Sequence, residues 1–126
     1  MDHLVLVVED HPFMRKTVRD LLIAQGLSVV TAEGVTAANR LIMARGAQFS
    51  ILVTDINLQD GTGWTVARAA RRTWPQLHVI YMSAEAQDEF DDEAVPRSAL
   101  IPKPFDGTEL TRALDCLGLY NQACAA

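Results

Sequence analysis

Residues 4–26 read LVLVVEDHPFMRKTVRDLLIAQG, and the architecture follows from them. Leu4–Val8 is an apolar run of strand length, rich in β-branched side chains and without polar alternation, so both of its faces are expected to be covered. Glu9 and Asp10 end it. Pro12 stands where a first helical residue would, and Met14, Val18, Leu21 and Leu22 recur at helical spacing. Gly26 is the stop. A buried strand that passes through an acidic turn into an amphipathic helix is the opening of a βαβ unit.

The pattern repeats outward. Ser28–Ala32 reads as a second, edge-like strand, and residues 35–44 as a helix with Ala38, Leu41 and Ile42 on one face and Gly46 as its stop. Ile51, Leu52 and Val53 make a third strand that runs straight into Asp55, followed by a loop at 57–62 that carries Asp60 and Gly61. A third helix gathers Val66, Ala67, Ala70 and Trp74, with Pro75 just beyond. Residues 78–82 form a fourth strand, and Leu100 and Ile101 are the remnant of a fifth. The last helix opens on Asp106-Gly-Thr-Glu109, a capping-box spacing, and buries Leu110, Ala113, Leu114 and Leu117. This β-α alternation predicts an α/β fold, a parallel sheet with helices on both sides. The 126 residues are expected to form one domain, with a core of about 4–118 and a tail at 119–126.

Composition excludes several classes. Hydrophobic residues make up 49% and charged residues 21%, enough for a packed core. The net charge of −5 argues against a nucleic-acid module, so no direct DNA binding is expected. Basic residues gather at Arg15, Lys16 and Arg19 and at Arg68, Arg71 and Arg72, on polar helix faces where a solvated surface is the simpler reading. No apolar run approaches the roughly 20 residues of a membrane span. MDHLVLVVED lacks a basic lead and a small-residue cleavage site, so a cytoplasmic location is expected. Cys116 and Cys124 are too few for a metal site or a secreted scaffold and read as reduced thiols.

Ligands in such sheets bind beyond the carboxyl ends of the strands. There the sequence delivers Glu9 and Asp10, then Asp55, then Ser83, then Lys103. Three converging carboxylates repel one another unless a hard cation with oxygen ligands compensates, and Mg²⁺ is the usual choice where phosphate is the substrate. Lys103 is a second compensating charge. A carboxylate so placed can attack phosphorus, with Lys103 and the Ser83 hydroxyl neutralising the equatorial oxygens. Each residue alone has a bland explanation: a helix cap, a turn former, a surface charge. The joint pattern at successive strand ends does not. His11 could be imagined as a ligand, but beside a predicted helix start it reads as a boundary residue. His3 and His78 lie outside any cluster, and Trp64 and Trp74 read as packing residues.

Val5-Leu-Val-Val-Glu-Asp10, Val53-Thr-Asp55-Ile-Asn57-Leu, Tyr81-Met-Ser83-Ala84 and Lys103-Pro104-Phe105 together resemble the receiver domains of two-component response regulators, and chemotaxis-type members in particular. The resemblance runs from about residue 4 to 117 with the motifs in family order. It implies a flavodoxin-like doubly wound sheet of order 2-1-3-4-5. It implies Asp55 as phosphoacceptor and a metal site of Asp10, Glu9 (largely through water), Asp55 and the Asn57 carbonyl. Ser83 would bond a phosphoryl oxygen, and Lys103 would pair with the carboxylate and then with phosphate. Lys103–Pro104 matches the family's cis peptide, Gly63 a loop glycine, and Asn57 and Glu85 positions that influence autodephosphorylation.

Two departures stand out. Leu100 occupies the switch position three before Lys103, where the family usually carries Tyr or Phe; it offers no phenol and less area to bury. The segment between Ser83 and Lys103 is about two residues shorter than typical, and Pro96-Arg-Ser replaces the usual Gly-Ala before the fifth strand. Six acids crowd into 85–93, with Phe90 the one large apolar residue among them. Like charges at helical spacing weaken a helix, and Pro96 limits it further, so a short, frayed or mobile fourth helix is expected. The acids read equally well as a solvated face or as a partner-specific surface. Gln59 stands where the family usually has Pro.

The resemblance thus implies a phospho-acceptor signalling module fed by a sensor histidine kinase or a histidine phosphotransfer protein. It is not a turnover enzyme, though it assists its own phosphorylation and autodephosphorylation. It would be a monomer or weak dimer that acts through a downstream protein contact or onward phosphotransfer, unless the chain is a piece of a longer regulator. The alternative is a pseudo-receiver, an interaction module of the same fold that works without phosphorylation; the intact acids, hydroxyl and lysine oppose it, while Leu100 and the fourth helix keep it open. A haloacid-dehalogenase-type phosphatase would want an acid where Asn57 stands. A flavin carrier would want a glycine-rich loop where Glu9 and Asp10 would repel phosphate.

Overall fold

A computed structural model describes residues 4–45, 49–84, 87–103 and 107–116. Its elements run β1 (Leu4–Val8), α1 (Pro12–Ala24), β2 (Ser28–Ala32), α2 (Val35–Arg45), β3 (Ile51–Asp55), β4 (Asn57–Leu58), β5 (Gly61–Thr62), α3 (Gly63–Thr73), β6 (His78–Ser83), α4 (Gln87–Glu93), β7 (Ser98–Pro102) and α5 (Gly107–Cys116). The five long strands form one parallel sheet of order β2-β1-β3-β6-β7. Numbered among themselves, these strands give the expected order 2-1-3-4-5, with β2 at an edge.

Alternate residues of each strand feed two cores. Val5, Val7, Val53, Ile80 and Met82 pack against Val18 and Leu22 of α1 and Leu110 and Leu114 of α5. Leu6, Val8, Leu52 and Tyr81 pack on the other side against Ala38 and Ile42 of α2 and Val66, Ala67 and Ala70 of α3. Burying each large aliphatic side chain contributes about 1.5–3 kcal/mol, so both faces of the central strands hold the sheet between its helices. The first helix starts at Pro12, as predicted, and ends before Gly26, whose φ of 87° is the left-handed conformation that glycine adopts freely.

Three features differ from the sequence reading. The loop 57–62 closes into a small antiparallel hairpin, in which Asn57 faces Thr62 and Leu58 faces Gly61. The fifth long strand is complete: Ser98 and Ala99 pair with Val79 and Ile80, and Pro102 ends it on an outer edge where a missing N–H is tolerated. The basic face of α3 is not simply solvated. Arg68 bonds the Glu93 carbonyl at 3.0 Å and pairs with its carboxylate, while Arg71 donates to the carbonyls of Pro96 (2.6 Å) and Arg97 (3.4 Å). These arginines strap down the return from α4 to β7.

Arg97 itself has φ 57°, at a position where the resemblance led one to expect a glycine-containing turn, and it donates to the Pro75 carbonyl at 2.7 Å. α4 is short, as expected, at seven residues. Glu85, Pro104, Gly46, Asp106, Leu117, His3 and Cys124 lie outside the described residues. Among the described residues no helix is long and apolar enough to cross a membrane.

Candidate functional site

Parallel pairing lines up the strand ends that the sequence singled out. Glu9 follows β1 and is 1% exposed; Asp55 ends β3 at 7% and Ser83 ends β6 at 3%. Lys103 follows β7, and its N–H donates to the Ser83 carbonyl at 3.0 Å, fixing lysine and hydroxyl residue side by side. Carboxylate oxygens of Glu9, Asp10 and Asp55 lie within 4.8 Å of one another. The Lys103 ammonium donates to Glu9 Oε1 at 2.7 Å and to Asp55 Oδ2 at 3.1 Å. Residues from three separate strand ends therefore meet in one cluster.

Burial of Lys103 works against its charge, but the hydrogen bond to Glu9 and the negative charge of Asp55 outweigh it and hold its pKa above the ordinary value. The lysine is thus an ammonium at neutral pH, facing three acids. The excess negative charge and the all-oxygen donor set fit a hard divalent cation such as Mg²⁺.

The backbone around these groups is tightly specified. The Glu9 N–H donates to the Ala32 carbonyl at 3.1 Å, and its side-chain Oε2 accepts from the His11 N–H at 3.2 Å. His11 caps α1, its Nδ1 accepting from the Met14 N–H at 3.4 Å, so it is the boundary residue expected of it. Thr54 donates its hydroxyl to the Asp55 carbonyl at 2.9 Å, and Gly63 donates its N–H to the Ile56 carbonyl at 2.8 Å. A Cβ on Gly63 would collide with the Asp55 carbonyl oxygen, which explains a glycine there without any appeal to flexibility. Asn57 is exposed at the start of β4. Leu100 is half-buried against the α2–α3 core and lies in register with Tyr81.

Three contributors were missed in the sequence. Arg15, read as a solvated base, donates to the Glu9 carbonyl at 2.9 Å. Asp60, read as a loop residue, accepts from the N–H groups of Val35 (2.7 Å) and Thr36 (3.0 Å). Tyr81 is fully buried, its hydroxyl accepting from the Val95 N–H at 3.1 Å. Its ring lies 4.7 Å from Trp64 and 6.0 Å from Phe90 of α4. The signal for Tyr81 was available: it stands two residues before Ser83, hence on the same face of β6.

The model of the response regulator receiver domain matches residues 5–115. The chain is 30% identical, over 97% of its length, to the DNA-binding transcriptional activator DevR/DosR of Mycobacterium tuberculosis, of which it spans 59%. It is 27% identical to the chemotaxis protein CheY of Bacillus subtilis over 91% of this chain and 97% of that one. A response regulator receiver protein from Sinorhizobium medicae superposes with a TM-score of 0.86 at 29% identity, covering 92% of this chain and 94% of the other.

Proposed function

The chain belongs to the response regulator receiver domain family, and from that premise we propose that it is a phospho-acceptor signalling domain in which Asp55 takes a phosphoryl group with the help of Mg²⁺. The observation that supports this most directly is the Lys103 ammonium bridging Glu9 and Asp55, with Asp10 in the same cluster.

Glu9, Asp10, Asp55 and the Asn57 carbonyl would hold the metal, which when bound supplies positive charge to the phosphoryl oxygens. The residues do the rest. A carboxylate oxygen of Asp55 attacks phosphorus; the new O–P bond forms as the bond to the donor's leaving group breaks, and the leaving group keeps that electron pair. Lys103 holds the carboxylate in place beforehand and neutralises the phosphoryl oxygens afterwards. Ser83 offers its hydroxyl to one of those oxygens. The product replaces the single carboxylate charge with a phosphoryl group carrying roughly two, a net gain of about one negative charge at the strand ends, which biases the domain between two conformations.

The donor would be a sensor histidine kinase or a histidine phosphotransfer protein. Output would be a protein contact or onward transfer, the domain turning over nothing except its own phosphoryl group. Mass spectrometry after incubation with acetyl phosphate and Mg²⁺ tests the reading. One phosphoryl adduct on the parent chain and none on Asp55→Ala is expected; an unmodified parent would move the assignment to the pseudo-receiver.

A further inference from the structure

The hairpin that follows the acceptor is fastened to α2 by a side chain with no part in the acidic cluster. Gly34 sits at the N-cap position of α2, its carbonyl accepting from the Ala38 N–H at 3.0 Å, and it brings no side-chain acceptor for the first-turn N–H groups. Asp60, 25 residues away from Val35 at the tip of the β4–β5 hairpin, supplies one. Its two carboxylate oxygens take the Val35 and Thr36 N–H groups at 2.7 and 3.0 Å.

The fit is close on both sides. A Cβ on Gly34 would stand 2.6 Å from Asp60 Oδ1, and a Cβ on Gly61 2.9 Å from Val35 Cγ2. The bonds from Thr36 and Val35 hold the Asp60 carboxyl below the usual carboxylate range even though the residue is exposed. The same hairpin begins at Asn57, two residues after Asp55, and Asp10 and Asp60 line one cavity of about 410 Å³.

We propose that Asp60 is a positioning residue for the metal site: by tying the hairpin tip to the start of α2 it fixes the backbone at Asn57, and so the carbonyl that would complete the Mg²⁺ shell. The inference rests on the functional reading above. A carbonyl held in place costs less ordering when the ion binds, and partners of this outer kind are worth roughly tenfold or more in metal affinity.

The test is calorimetric titration of the full chain with MgCl₂, alongside amide hydrogen exchange over 57–62 without metal. Asp60→Ala should weaken Mg²⁺ roughly tenfold, at the low end of outer-partner effects, and speed exchange over 57–62, while saturating Mg²⁺ restores the parent extent of labelling by acetyl phosphate. Gly34→Ala, which keeps Asp60 but displaces its carboxylate, should reproduce the loss. Combined with Asp60→Ala it should add nothing further.

Parent-like Mg²⁺ affinity in Asp60→Ala, with only the melting temperature lowered, overturns the proposal as a merely structural role. A parent chain that binds Mg²⁺ but accepts no phosphoryl group sinks the signalling reading while leaving the Asp60 effect measurable. A parent that binds no Mg²⁺ overturns both.

Discussion

Lys103 and the three acids around it decide the behaviour of the site at the scale of single residues. One ammonium cannot balance Glu9, Asp10 and Asp55, so without metal the cluster works against folding by like-charge repulsion. Asp10→Asn should therefore raise stability in a chelator by on the order of 1 kcal/mol and lose that advantage in saturating Mg²⁺. Urea melts in EDTA and in MgCl₂ check this; equal effects in both would refute it. Tyr81 makes a different kind of contribution. Its hydroxyl is the acceptor of the buried Val95 N–H, and phenylalanine would fill the same space while leaving that donor unsatisfied. Tyr81→Phe should cost about 1–3 kcal/mol in chemical denaturation. Leu100, where the resemblance led one to expect an aromatic, lies in register with this tyrosine, so the large ring of the pair sits on β6 rather than β7.

Among elements, α4 is the weakest in local terms. It has seven residues, and Phe90 is the half-buried apolar side chain that anchors it against Tyr81. Helices this short do not stand without tertiary contacts, which Phe90 supplies among the described side chains. The arginines of α3 hold its C-terminal end and the following turn, but the Arg68–Glu93 ion pair is exposed, and such pairs add little. α3, by contrast, buries Trp64, Val66, Ala67 and Ala70 over eleven residues and is capped by Thr62. Amide exchange over 87–93 is expected to proceed by local opening well before that of α3, whose protection should approach the global value. Hydrogen exchange read by mass spectrometry decides the matter, and equal protection of the two helices would count against it.

For the molecule as a whole, the displaced titrations set how stability depends on pH. Burial raises the pKa of Tyr81, and Lys103 is also raised, its carboxylate partners outweighing burial. In both cases the folded chain keeps a proton that the unfolded chain has already released, so their contribution is intact below about pH 10 and lost as pH climbs beyond it. Asp60 and Asp20 are lowered, the first chiefly by the Thr36 N–H and the second by Lys16, so what they add is lost as pH falls below about 4. Denaturation midpoints should fall in the alkaline range, and Tyr81→Phe should flatten part of that fall; an unchanged slope would remove Tyr81 as a cause. The sequence alone determined four of the five long strands and a remnant of the fifth, their covering by helices, and the acids, hydroxyl and lysine at their ends. Burial period and the charge that ends an apolar run are local properties of a chain. It could not determine which acid Lys103 would touch, since Glu9 lies 94 residues away, nor that Asp60 would cap α2 or that Tyr81 would hold Val95. Those pairings depend on distances between chain segments, and only the packed sheet and its helices set such distances.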